Sequence, residues 1–184
     1  MGLIAVPGSD RRADEMPTTV GSMQTAELLD DCLARHLDVA RDLRDAHDAA
    51  WAAVDPILLE LARLRVAMLL RCDAEFAVRT EAAVLAGLQE TTIAQLANWP
   101  TSPRFGARER ACLAFTEQFV IDVASMGNDL PAAVADHLGP SGLADFSTAL
   151  LVIEQRQRLR LAWTELFVPV GNSQPTVPST SHQD

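Results

Sequence analysis

Ionisable and reactive side chains crowd one stretch of the chain, from Glu60 through Arg63, Arg65, Arg71, Cys72, Asp73 and Glu75 to Arg79. Cys72 falls where a helix is expected to begin, and there free backbone N–H groups and the helix dipole favour a thiolate. Arg71 and Arg79 support that ionisation, while Asp73 and Glu75 oppose it by like charge, and the sequence leaves the sign open. Glu60 sits in an otherwise apolar helix, so it must either pair with an arginine such as Arg63 or keep a raised pKa, as a proton-transfer group would. Glu75 and Arg79 stand four residues apart in the favourable order, which reads most simply as an ion pair on a helix surface. Cys32 and Cys112 fall on apolar helical stripes and read as core residues.

Other chemistries are excluded or lack support. The 15 basic residues are all arginine and tyrosine is absent, which removes lysine Schiff-base and tyrosine acid–base mechanisms. His36 and His47 share a helical face but lie about 16 Å apart at 1.5 Å per residue, too far to chelate one ion. No H-E-x-x-H, C-x-x-C, G-x-G-x-x-G, phosphate-binding loop or G-x-S-x-G occurs, so neither a metal nor a nucleotide or other cofactor is expected. A net charge of −10 argues against a nucleic-acid partner, which needs a basic footprint. Three cysteines without regular spacing, and a start that lacks a basic region and sufficient apolar length for a signal peptide, point to a reducing cytoplasm. Glu60, Arg63, Arg65 and Arg71 interrupt the most hydrophobic stretch, so no membrane span is expected.

The elements that must position these residues are helical throughout, giving an all-α fold of about seven helices. At 184 residues the chain suits one domain, over 22–167, flanked by a flexible start (1–21) and a polar Pro/Ser/Thr tail (168–184). A first helix is expected from about Thr25 to Trp51, and Asp55-Pro56 then caps a second, Ile57 to about Leu70, which is apolar on nearly every side. Such a helix belongs in the middle of a fold or in a subunit interface. A third is expected over Asp73–Ala86 up to Gly87, and a short fourth over Glu90–Ala97. The rigid connector Trp99-Pro100-Thr101-Ser102-Pro103 follows. Gly106 with Glu109 opens a fifth, Asn128-Asp129 and Pro131 a sixth that Gly139-Pro140 closes, and Ser141 a last one reaching about Leu166.

At the reactive stretch the chain resembles the carboxymuconolactone decarboxylase family, in particular its alkylhydroperoxidase D-like branch. That branch carries a Glu and, twelve residues on, the pattern C-x-x-C-x-x-x-H-x-x-x-A-x-x-x-G. Here the frame is Glu60, Cys72, Glu75, Arg79, Ala83 and Gly87. The likeness continues through Ile93-Ala94-Gln95-Leu96, Trp99 to Phe105 and Arg108 to Glu117. It ends near Gln157-Arg158-Leu159, where the family has an Asn-x-x-Asn-Arg-Leu helix, and covers about residues 55–167. The resemblance implies a helical subunit that assembles into homo-oligomers. In the peroxidase branch a cysteine pair reduces organic hydroperoxides, with the Glu and the His relaying protons. Here Glu75 replaces the second cysteine and Arg79 the histidine, so a dithiol cycle at that pair is impossible. Three readings follow: an antioxidant, peroxiredoxin-type protein working through Cys72 alone with an external thiol reductant, a lyase or isomerase on a small carboxylic acid bound by Arg79 with Glu60 or Glu75 moving a proton, and an oligomeric scaffold that has lost the chemistry.

Overall fold

The computed structural model describes residues 37–164, all helix, turn or loop, with no strand among them. The first part of the helix expected over Thr25–Trp51, up to His36 and including Cys32, and both terminal segments lie outside the described residues. The chain first runs through α1, Leu37–Ala53. Asp55 and Pro56 then restart it as the sequence predicts. The Asp55 carboxylate accepts the Leu58 N–H at 3.0 Å and proline takes the first helical position, where its missing N–H costs nothing. Burial works against the Asp55 charge, but the Leu58 N–H and the Arg108 guanidinium outweigh it and hold the carboxyl below its usual range.

The helix that follows, α2 (Pro56–Leu70), is the axis of the fold. Its apolar residues point to every side because every side is covered: α2 packs against the later helices α6 (Ala107–Asp122) and α7 (Asp129–Thr164). One face contributes Leu58, Leu59, Ala62 and Val66 to a core completed by Ala50, Cys112, Phe115, Phe146, Leu150 and Ile153. The other face sends Leu61 and Leu64 against Ile93, Leu96, Trp99, Phe105 and Leu113. The helix ends on Arg71 in the left-handed conformation, φ 57°, where Cys72 N–H returns to the Ala67 carbonyl at 2.8 Å.

The third expected helix is broken in two. Residues Asp73–Phe76 form one turn, α3, and Glu81–Leu85 another, α4, with Val78, Arg79 and Thr80 in irregular backbone between them. Propensity alone favours continuation, but buried side chains from α2 claim backbone groups that a continuous helix would use: Arg63 takes the Glu75 and Val78 carbonyls, and Glu60 takes the Thr80 N–H. Gly87, at φ 91°, closes α4 as expected, with Leu88 N–H bonded back to the Ala83 carbonyl at 3.0 Å. A turn at Glu90–Ile93, α5, leads through a 3-10 turn at Leu96–Asn98 into the connector. Glu109 caps the start of α6 by accepting the Gly106 N–H at 2.8 Å, half of the expected capping box, since glycine has no side chain to return the bond.

The sixth and seventh expected helices appear as two halves of α7, separated at Gly139, which adopts φ 77°, ψ 167° ahead of Pro140. That backbone region is open essentially to glycine alone. Gly139→Ala is therefore expected to destabilise the fold by about 1–3 kcal/mol although a Cβ there would meet no neighbouring atom within 4 Å, a loss that denaturant unfolding measures directly.

Candidate functional site

Glu60 and Arg63 lie one helical turn apart on α2 and are both buried, with the Glu60 residue fully inaccessible. Arg63 grips the Glu60 carboxylate with two bonds, Nε to Oε2 at 2.9 Å and Nη2 to Oε1 at 2.7 Å. Its remaining N–H groups reach the irregular segment: Nη1 to the Glu75 carbonyl at 2.7 Å and to Glu75 Oε2 at 3.0 Å, and Nη2 to the Val78 carbonyl at 2.8 Å. All five guanidinium donors are thereby used. Burial opposes the Arg63 charge, yet Glu60 and Glu75 more than offset it and raise its pKa. Glu60 in turn accepts from Thr80, whose N–H and hydroxyl stand 3.2 and 3.0 Å away. Both oxygens of this carboxylate thus carry two hydrogen bonds, so of the two sequence alternatives it is the arginine pair that forms.

Glu75, at the frame position of a second cysteine, bridges two arginines. Its Oε2 meets Arg63, and its Oε1 accepts from Arg160 Nη1 at 2.6 Å across 85 residues of chain. The expected Glu75–Arg79 surface pair does not form. Its geometry requires a continuous helix, and the break after Phe76 removes it. Arg79 instead forks onto Glu90, Nε to Oε1 at 2.8 Å and Nη2 to Oε2 at 3.0 Å, while Nη1 donates to the Phe76 and Val78 carbonyls. Its guanidinium also lies over the Phe76 ring.

Cys72 is the N-cap residue of α3, but its side chain is buried, at 2% exposure, which a reactive thiol does not favour. Burial pushes the thiol pKa up, and Glu75 and Asp73 add to the rise. The Glu75 N–H and Arg160 act in the opposite direction without overcoming it. The arginine that favours the thiolate is therefore Arg160, not Arg71 or Arg79 as the local sequence suggests. Cys112 lies in the core as expected, its thiol pushed up to about 12 by burial.

His47, on α1, belongs to the same neighbourhood. Burial lowers its pKa, Arg156 and Arg63 add to the effect, and Asp48 and Glu75 oppose it. Its Nδ1 is buried without a hydrogen-bond partner among the described residues, beside the Trp51 ring at 6.1 Å between centroids. Sequence reasoning set His47 aside as a helix-stripe residue and missed Arg160, because nothing local reveals that α1 and the end of α7 meet the motif. Among the described residues no three His, Cys, Asp or Glu side chains converge as a metal site would require.

Two expectations test this arrangement. Glu60→Gln or Arg63→Met alone, each leaving a buried partner uncompensated, should cost about 3–5 kcal/mol, and the double variant should lose less than the sum of the singles, as read from chemical denaturation. His47 binds its proton more weakly in the folded than in the unfolded chain. Stability should thus fall as pH drops below about 6.5, levelling off once the folded imidazole also protonates, and His47→Gln should flatten that part of the pH–stability profile.

No curated protein matches the chain significantly. Residues 37–118 match the family model of the carboxymuconolactone decarboxylase family. The match begins earlier than the resemblance at residue 55 suggests, taking in α1, and it ends within α6. Over this segment the chain is thus similar to the carboxymuconolactone decarboxylase family, and the described residues, which include no strand, agree with an all-helical fold.

Proposed function

We propose that this chain is a family member whose motif holds the fold together instead of reducing hydroperoxides, and that it serves as a homo-oligomeric helical scaffold. The observation that carries the reading is Glu75. In place of a second thiol, a carboxylate is clamped between Arg63 and Arg160, where it stiffens the motif and raises the pKa of the neighbouring Cys72. A peroxidatic cysteine needs an accessible thiolate, and Cys72 is buried with its ionisation disfavoured. The one-cysteine antioxidant reading therefore has little support beyond the Arg160 charge. The apolar residues that the single chain leaves exposed, such as Val84, Leu85 and Leu151, suit the assembled state.

A second reading, chemistry on a small carboxylic acid, is favoured by one specific observation. The Arg79 fork already grips a carboxylate, and that carboxylate, on Glu90, is 70% exposed and free to be displaced. Neither Glu60 nor Glu75 offers an unengaged oxygen for proton transfer, however, which places the scaffold reading first.

On the scaffold reading, native protein consumes no organic hydroperoxide with dithiothreitol as reductant, and Cys72 reacts with a chromogenic thiol reagent only after unfolding, in a variant with Cys32 and Cys112 changed to Ser. Fast native labelling with an apparent pKa well below 8.5 would restore the antioxidant reading. Glu90→Ala, which frees Arg79, should bind acetate no more tightly than the native protein does. Tighter acetate binding in that variant would favour the small-acid reading.

A further inference from the structure

The connector Trp99 to Phe105 takes no part in the motif, yet it is built as a rigid arch. Trp99 and Phe105 are buried at its two ends in the second core cluster. Trp99 Nε1 donates to Glu117 Oε1 at 2.6 Å, and the same carboxylate receives Arg65. Within the arch the Thr101 and Ser102 N–H groups close onto the Asn98 carbonyl at 3.2 and 3.0 Å. Anchored in this way, the arch holds Pro103 and Arg104 out into solvent.

Facing it is the short helical stretch from Glu90 to Gln95. Ile93 and Leu96 turn inward, which leaves Thr91, Ala94 and Gln95 on the outer side. Between this side and Ser102, Pro103 and Arg104 lies a cleft of about 390 Å³. Ala94 and Pro103 supply apolar wall, and Thr91, Gln95, Ser102 and Arg104 supply polar groups. The charge balance is unusual for so acidic a chain. The Arg104 guanidinium has no carboxylate partner among the described residues. Arg110, behind the arch, spends Nη2 on the Ser102 carbonyl at 2.7 Å and leaves its buried Nε unpartnered. The neighbouring carboxylates are engaged elsewhere, Glu90 with Arg79 and Glu109 at the Gly106 cap. The cleft is thus bordered by one cation, Arg104, and its lining includes no carboxylate.

We propose that this cleft binds a small organic carboxylate, its apolar body lying against Ala94 and Pro103 and its charge on the Arg104 guanidinium, with the Thr91 and Ser102 hydroxyls as further donors. Guanidinium and carboxylate match in planar, bidentate geometry. Because the arch is fixed by its buried ends, little ordering is lost on binding. The site is separate from the Arg79 fork and does not depend on the reading of the motif.

Benzoate is the probe. Calorimetric or NMR titration of the full chain should show saturable binding, with the uncharged isostere benzamide at least about tenfold weaker, the loss of one charge-assisted contact. Arg104→Gln, at an exposed position that leaves the melting temperature unchanged, should weaken benzoate by a similar factor, while Arg79→Gln should leave its affinity intact. Absence of saturation, equal binding of benzamide, wild-type affinity in Arg104→Gln, or loss of binding in Arg79→Gln would each overturn the assignment. Equal displacement by inorganic phosphate would also overturn it, since the apolar wall would then contribute nothing.

Discussion

The buried Arg63 guanidinium is the contact on which the motif region depends. A cation in the centre of a helical core is tolerable only if its charge is matched and each donor has an acceptor. Arg63 meets both conditions, but only by drawing on groups from outside its own helix: the Glu60 carboxylate beside it, Glu75 above it, and the carbonyls of Glu75 and Val78. Satisfying that one side chain dictates where the backbone beyond Cys72 runs. The helix stops after Phe76 because the carbonyls that would accept bonds from the next turn are committed to Arg63 and Arg79. Thr80 then completes the coordination of Glu60.

The same constraint fixes the chemistry. With Glu75 held by Arg63 and Arg160, its carboxylate is kept in place near Cys72. The thiol sits at a helix start, a place that usually eases ionisation, yet a one-turn helix offers only a slight dipole against desolvation and two nearby carboxylates. Position and environment therefore act in opposite directions, and environment prevails. A cysteine in the second position would lack that charge, so the exchange of one side chain alters both the redox capacity of the pair and the acidity of the thiol that remains.

Much of the fold was legible because its signals are local. The Asp55-Pro56 start, the Gly87 stop, the Glu109 cap and the Gly139-Pro140 break each depend on residues within a few positions of one another. The all-round apolarity of α2 likewise foretold its central place. The site was less legible because its decisive contacts are distant in sequence. Glu60 with Arg63 was readable at a spacing of three, whereas Glu75 with Arg160 spans 85 residues and Arg79 with Glu90 requires the helix break to exist first. That break has no glycine or proline to announce it. Ala77, Val78, Arg79 and Thr80 would continue a helix if tertiary contacts did not overrule them.

Arginine in particular suits these positions. Arg63 reaches two carboxylates and two carbonyls at once because five donors radiate in one plane. An ammonium group offers three donors from a single point and would leave some of these acceptors buried and unpaired. Arg79, gripping Glu90 with one edge and two carbonyls with another nitrogen, uses the same planar geometry at a partly exposed location. The absence of lysine from the whole chain extends beyond these sites and has no structural account here. Within the motif, however, the choice follows from the geometry. A helical core crossed by irregular backbone needs a bridge that is flat, multidentate and permanently charged, and guanidinium is the side chain that provides it.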